Sequence, residues 1–448
     1  MALFINEATL PGVGDELNLF NLPQTKVGIE SSSYVSYQPI SVITDNSPLE
    51  FFITGNMDEL IDPSRIYLYL KIRLLNENGG VFTGDENINV CNLILHSLFS
   101  QIDVILNDHQ ISSSNNLYSY RSYITTLLNY NHEIKKTHLA TQGYFEDSPG
   151  HFNTLHTSAT VPSTSTTASP TTRAINKGYV QRYTLLKNSR SLELMSPLHI
   201  DISKQNKLLL NDVNLRLKLI RSKPEFHLMG TQQGKCEIQE ACLYVRKAKP
   251  NASLLQSIEQ VLQTKNAMYP ITKCDLKYLV IPSNVSSINR DNVLIGALPE
   301  RVVIGLIKTT NFQGSKNSNP FAFDHHNVSS INLFIDGISL PSKQYSLNFS
   351  NGQYVRPYFD LMANLDMLET RNSNGLSLED YAQSNTLYAF DLTPDQINDQ
   401  SFNLIKKGNC RLEINFSQAL TDSVVVILML EGKGLIEINS SREVFSHE

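Results

Sequence analysis

Apolar and polar residues alternate along much of this chain in short runs, and the runs recur in a fixed order. Ile102-Asp-Val-Ile-Leu-Asn-Asp-His-Gln-Ile111 alternates into an Asn-Asp turn, and Ile331-Asn-Leu-Phe-Ile-Asp-Gly-Ile-Ser-Leu340 does the same through Asp336-Gly337. Each predicts a β-hairpin, because Asn, Asp and Gly accept the positive φ that two-residue hairpin turns impose. Both hairpins precede a Tyr- and Arg-bearing segment of helical or mixed character, residues 117–128 and 353–362. Further on, Leu215-Arg-Leu-Lys-Leu219 and Cys410-Arg-Leu-Glu-Ile-Asn-Phe416 alternate strictly, so Leu215, Leu217 and Leu219 share one face, as do Cys410, Leu412, Ile414 and Phe416. Two copies of one β-domain are the simplest account of three matched pairs in matched order.

Other runs fit the same plan. Strands are predicted at 33–44, 49–54, 66–74, 275–282, 301–308, 386–390 and 423–431, separated by turn clusters such as Asp45-Asn-Ser-Pro48. Many short strands with few helices, twice over, predict an all-β chain of two antiparallel sandwiches of the jelly-roll or Greek-key kind. Ser253-Leu-Leu-Gln256 has the form of a capping box, and Leu254, Leu255, Ile258, Val261 and Leu262 follow at helical spacing, which predicts a short amphipathic helix near the junction. The expected division is an N-terminal arm over 1–30, a first β-domain over 31–250 and a second over 251–448. The arm and the last few residues lack apolar period and are expected to order on neighbours. Residues 154–172, nearly all Ser, Thr, Ala and Pro, are expected to form a long surface loop.

A length of 448 residues agrees with two large β-domains. The net charge of -6 comes without any polybasic block, which disfavours sequence-independent binding to nucleic acid. Five scattered cysteines, an odd number without CxxC spacing, predict free core thiols in a reducing compartment. The first residues show neither a positive n-region nor a long apolar stretch, and the longest apolar run, Val424 to Leu430, is far short of the ~20 residues a membrane helix needs. A chain kept out of the secretory route and without a transmembrane segment is expected.

No HExxH, GxSxG, Walker A or GxGxxG spacing occurs, so no enzyme class, cofactor or metal is expected. Lys433, between Gly432 and Gly434, reads as a strand-end turn. His325-His326 could be offered as metal ligands, but neighbours on a strand point to opposite faces, and a loop or interface pair is the simpler reading. Asp45, Asp62 and Asp291 sit beside Pro, Ser or Asn and read as turn residues. Tyr118, Tyr120, Arg121 and Tyr123 in the first half, and Tyr354, Arg356 and Tyr358 in the second, are the candidate subunit-contact residues. Aromatic and Arg enrichment marks interface hot spots, though helix packing against a sheet produces it equally well.

Six stretches, Val42-Ile-Thr-Asp-Asn-Ser-Pro-Leu-Glu-Phe51, Asn92-Leu-Ile-Leu-His-Ser-Leu-Phe-Ser-Gln-Ile-Asp-Val104, Leu298-Pro-Glu-Arg-Val-Val-Ile-Gly-Leu306, Asn319-Pro-Phe-Ala-Phe323, Thr386-Leu-Tyr-Ala-Phe-Asp-Leu392 and Ile436-Glu-Ile-Asn439, resemble in order the double jelly-roll major capsid proteins of Maverick (Polinton) elements and adintovirus relatives. The resemblance spans about residues 17 to 445. It implies two fused eight-stranded jelly rolls with a few short helices, and homotrimers forming pseudo-hexagonal capsomers, like adenovirus hexon and virophage capsids. It further implies that capsomers tile an icosahedral shell around a DNA genome, with a penton or minor capsid protein as the other partner. The chain would be synthesised in the host cytoplasm, assembled there or in the nucleus, and located in the virion. A jelly-roll carbohydrate-binding or glycan-processing protein, or a minor capsid component, is the alternative; the former needs exposed aromatics or paired carboxylates in a concave groove.

Overall fold

The computed structural model describes residues 15–17, 19–20, 22, 25–45, 47–155, 175–368, 373–394, 402–404 and 406–447. The expected Ser/Thr/Pro loop and the first part of the expected arm fall almost wholly outside them. The strands, in order, are β1 (Ile29–Tyr37), β2 (Leu49–Ile53), β3 (Leu60–Leu75), β4 (Ile88–Val90), β5 (Phe99–Leu106), β6 (His109–Ser113), β7 (Leu192–Pro197), β8 (Leu215–Arg221), β9 (Leu228–Gly230) and β10 (Lys235–Pro250). They continue with β11 (Ala267–Ile281), β12 (Ser287–Ala297), β13 (Arg301–Lys308), β14 (Val328–Ile335), β15 (Ile338–Leu340), β16 (Leu387–Asp391), β17 (Lys407–Phe416), β18 (Val424–Ile438) and β19 (Val444–His447). Short helices fill the connections: α1 (Ile94–Ser97), α2 (Tyr118–Asn129), α3 (His132–Lys136), α4 (Lys177–Leu186), α5 (Pro224–His227), α6 (Ala252–Leu262), α7 (Thr309–Gln313), α8 (Val355–Ala363) and α9 (Leu378–Ala382).

Setting aside the small β4–β9 pair and β19, eight strands precede α6 and eight follow it. The first eight form antiparallel sheets β1-β10-β3-β7 and β2-β8-β5-β6, and the second eight form β11-β18-β13-β16 and β12-β17-β14-β15. In each set the first, eighth, third and sixth strands make one sheet and the second, seventh, fourth and fifth the other. That is the jelly-roll order, repeated, and the chain is a double jelly roll. The predicted hairpins are β5–β6 and β14–β15, with Asn107, Asp108, Asp336 and Gly337 all at positive φ, as a type I′ turn requires. The strictly alternating runs fall in β8 and β17, equivalent strands of the two rolls.

Three apolar cores follow from the side-chain period of two. One fills the first roll, between Leu68, Leu70 and Ile72 of β3 and Leu215, Leu217 and Leu219 of β8. Another fills the second roll around Ile304, Leu412, Ile414 and Leu428. A third lies outside the second roll's first sheet, where Val303 and Ile307 of β13, Leu387 and Ala389 of β16, and Val425, Ile427 and Met429 of β18 meet α2, Phe321, Phe323 and Leu361 of α8. β18 therefore sends Val424, Val426 and Leu428 into the roll and Val425, Ile427 and Met429 out of it, and both sides are dry. A strand buried on both faces reads as an uninterrupted apolar run, which is why Val424–Leu430 is the longest in the chain. Gly305 of β13 has a steric reason: a Cβ there would lie 2.5 Å from Phe323 Cδ1.

Local details differ from the sequence expectations. Helix α6 is capped by the side chain of Asn251, which accepts from Ser253 N–H, and not by Ser253. Lys433 lies inside the 15-residue strand β18, paired with Thr272 of β11, and is no turn residue. All five cysteines are buried and unpaired. Burial pushes the thiols of Cys91 and Cys236 up to about 12 and that of Cys274 to about 11. Since the thiolate is the nucleophile, native protein at pH 8 should leave these thiols unlabelled by an aromatic disulfide reagent, and unfolding in denaturant should release them. Rapid stoichiometric labelling without denaturant would contradict that burial.

Candidate assembly interface

The two Tyr/Arg segments occupy equivalent places, the connection between the fifth and sixth strands of each roll, yet lie in different surroundings. The first is α2, buried at every residue but Asn129. Although half of its residues are polar, Ser, Thr and Arg included, α2 lies between the rolls, where its tyrosines and leucines pack against both. Tyr123 stacks flat on Phe321, centroids 4.3 Å apart and planes within 2°. Tyr120 stacks on Phe312 at 5.6 Å and meets Phe226 edge to face at 5.7 Å.

Arg121 is 3% exposed, and its Nη2 donates to Asp201 Oδ1 at 2.6 Å; the same oxygen accepts the backbone N–H of Cys274 in β11 at 3.2 Å. One carboxylate oxygen thus ties a first-roll helix, the turn after β7 and a second-roll strand together. Although burial alone lowers the guanidinium's pKa, the charge of Asp201 more than offsets it and raises it above the usual arginine range. Tyr118, fully buried, has its hydroxyl 2.9 Å from His96 Nδ1 and accepts the His199 N–H at 3.2 Å. Tyr118, Tyr120, Arg121 and Tyr123 are thus at most 3% exposed and packed within their own chain, and expose far less than the second segment does.

The second segment begins at Tyr354 and continues as α8, which is half open. Tyr354 stacks on Phe349 at 5.2 Å, and Tyr358 donates its hydroxyl to Leu376 O at 2.9 Å. Arg356 is exposed, lies 5.0 Å over the Tyr345 ring and approaches Asp360 at 3.8 Å. Val355 and Phe359, four apart on the helix, are 57% and 53% exposed and leave an apolar stripe beside Arg356.

A further surface lies outside the candidate contact residues read from the sequence. Whereas α2 and α8 cover the outer face of β11-β18-β13-β16, the outer face of β1-β10-β3-β7 is open. It carries Tyr34, Tyr67, Tyr69 and Tyr244 with Arg65, Lys71 and Arg73, and the rings of Tyr34 and Tyr67 stack at 5.8 Å. Its only sequence signal is the polar phase of β3, Tyr67, Tyr69, Lys71 and Arg73, where large aromatics replace the small polar residues common on wet faces.

The titratable residues weighed for chemistry serve structure. Asp62 accepts from Ser64 and pairs with Arg246 at 2.7 Å, and Asp45 pairs with Lys235 at 2.6 Å. Asp291 lies within β12. His325 and His326 lie in the turn before β14; His325 Nδ1 accepts the Asn327 N–H at 2.9 Å and its ring stacks on Phe349 at 4.2 Å. Among the described residues no group of three His, Cys, Asp or Glu could hold a metal ion, and no helix is long and apolar enough to cross a membrane.

Buried His96 gives the fold a pH signature. Burial lowers its imidazole to about 4, with the Gln142 hydrogen bond opposing. The unfolded imidazole titrates near 6.5, so the unfolded chain binds the extra proton between those values. Stability is full above pH ~6.5 and falls toward pH 4, by about 3 kcal/mol for this group. Urea unfolding at pH 7 and pH 4.5 measures the loss, to which His199, His227 and His326, lowered by burial likewise, add; His96→Gln should make that slope shallower, and an unchanged slope in the variant would assign the acid sensitivity to the other three.

No family model matches the chain. It is 22% identical over 414 residues, 89% of this chain and 92% of the other, to an uncharacterized protein, F54H12.2, of Caenorhabditis elegans. Its solved structural neighbours are viral double jelly-roll proteins. A chain of the Sputnik virophage particle superposes with a TM-score of 0.65 at 12% identity, covering 100% of this chain and 94% of that one. The Faustovirus major capsid protein gives 0.57 at 10% identity over 94% and 92%, and the mavirus major capsid protein 0.50 at 11% over 99% and 96%. Near-complete coverage on both sides means that the likeness takes in both rolls and their order, and it defines the class of this fold as that of the viral double jelly-roll capsid proteins.

Proposed function

We propose that this chain is a non-enzymatic major capsid protein of the Maverick (Polinton) and adintovirus kind, three copies of which form a pseudo-hexagonal capsomer. Capsomers tile an icosahedral shell around a DNA genome, and a penton or minor capsid protein fills the fivefold positions. The carrying observation is the repetition of one strand order in two consecutive rolls, over the full length shared with capsid-protein neighbours. Three such chains offer six similar rolls, so a threefold assembly can occupy a sixfold lattice position. A nematode relative among viral neighbours is what a capsid gene resident in an animal genome would produce.

Within the capsomer, two surfaces suit subunit contacts. The tyrosine face of β1-β10-β3-β7 has the aromatic and Arg content of an interface core. The exposed edge of α8, with Val355, Arg356 and Phe359 beside Tyr354 and Tyr358, is the second. Leu17, Leu19, Phe20 and Leu22 of the arm are exposed and suit burial on a neighbour. Division into an arm, a first roll to about residue 250 and a second roll from about 251 belongs to the same reading.

Native mass spectrometry and electron microscopy of purified protein should show trimers and shells of hexagonal capsomers. Arg356→Ala should weaken each contact by about 1–2 kcal/mol, and Tyr67→Glu should do so more strongly, both leaving the fold intact. A monomer at high concentration under every salt condition would overturn the capsid reading.

A further inference from the structure

Between the rolls, at the end where α2, α5 and α7 connect strands, a cleft of about 560 Å³ opens to solvent. The first roll contributes Tyr120, Arg221, Lys223 and Phe226, and the second contributes Tyr278 and Phe312. Its wall is aromatic: Tyr120 stacks on Phe312, and Phe312 tilts against Tyr278 at 5.1 Å. Volume and lining are those of a pocket for a small organic molecule.

Arg221 makes the cleft unusual. Its Nη2 donates to Cys236 O at 3.3 Å, while Nε and Nη1, both buried, have no partner. Among the described residues no carboxylate lies within ion-pair distance of Arg221, and the nearby Asp45 is engaged by Lys235. The hydroxyls of Ser222 and Tyr120 in the same lining are also buried without partners. A guanidinium keeps its proton even where burial lowers its pKa, as it does here, so this is a half-buried charge whose Nε and Nη1 are buried without a counter-ion. Among the described residues the two fully buried arginines each have an acid, Arg121 with Asp201 and Arg182 with Asp147, whereas half-buried Arg221 has none. An isolated buried cation is costly and is offset by an anion brought from outside.

We propose that this cleft binds a small organic acid that carries both a ring and a carboxylate, with the ring against the aromatic wall and the carboxylate satisfying Arg221, assisted by Lys223. Carboxylate on guanidinium is a charge-assisted, directional pair, and aromatic faces accept either an aromatic ring or the apolar face of a sugar. An aromatic acid and an acidic sugar share this chemistry. The site is independent of the assembly reading, since it lies within one chain.

The test is calorimetric titration of the purified protein with N-acetylphenylalanine and with N-acetylneuraminic acid, each beside an uncharged counterpart, the amide and N-acetylmannosamine. At least one acid should bind saturably and at least about tenfold tighter than its neutral counterpart, a gap of ~1.4 kcal/mol. Whichever acid binds identifies the source. Arg221→Gln should abolish that preference while raising the melting temperature of the ligand-free protein, because it removes an unpaired, half-buried charge; a purely structural arginine would lower it. Should that variant fail to fold, Phe312→Leu should weaken binding and added salt should weaken the acid selectively. Equal binding of acid and neutral forms, or saturable binding of neither acid, overturns the proposal.

Discussion

Asp201→Ala is expected to destabilise the protein by about 3–5 kcal/mol, because it leaves the Arg121 guanidinium buried without its counter-charge. The loss should exceed that of the double variant Arg121→Met/Asp201→Leu, which removes both charges and keeps the volume filled. Chemical denaturation of the three proteins makes the comparison. If Asp201→Ala and the double variant lose equal stability, the carboxylate acts by packing alone and not as the tie among α2, the turn after β7 and β11. Because the carboxylate oxygen also accepts the Cys274 N–H, hydrogen exchange at that amide should accelerate in Asp201→Ala beyond the global change.

Tyr123→Ala is the second large effect, about 3–5 kcal/mol, the range for deleting a large aromatic from a core. Tyr123 lies flat on Phe321, the aromatic link between a first-roll helix and the second roll. Its removal opens a void in the core outside β18 and forfeits the stacking contact, which adds ~0.5–1.5 kcal/mol beyond burial. Equilibrium unfolding measures the loss, and analytical ultracentrifugation separates two roles. A variant of wild-type stability that dissociates from its neighbours would return Tyr123 to a subunit surface; a destabilised variant that still associates when folded fits the internal position.

Much of the fold is visible in the residues wherever the alternation is unbroken. The hairpins at Asn107-Asp108 and Asp336-Gly337, the runs in β8 and β17, and the limits of β13 follow directly from period two and turn chemistry. β10 does not, for a physical reason: Cys236 and Ile238 are buried, then Ala241, Leu243 and Val245, so the phase changes within one strand. The register shifts between Ile238 and Glu240, where Gln239 is a bulge residue. In β12 the register slips between Arg290 and Leu294, with the same effect on the pattern. Tyr and Arg content located both segments, but composition does not distinguish a helix enclosed by its own chain from one at the surface. Arg121 finds its acid 80 positions away, a separation no local pattern encodes. The tyrosine face of the first roll emerges only when β1, β10 and β3 lie side by side.

The position of β18 in the chain has a consequence for synthesis. It is the central strand of the second roll's inner core and also one wall of the core that receives α2 from the first roll, so two of the three apolar interiors wait for residues 424–430. A nascent chain halted earlier can close the first barrel in large part, yet it leaves α2 with its tyrosines uncovered and the second barrel without its middle strand. Such a fragment exposes sticky surface and invites chaperones and proteases. The late position of this one strand thus couples closure of the second barrel to the docking of a first-barrel helix, so both interiors become dry in the same step.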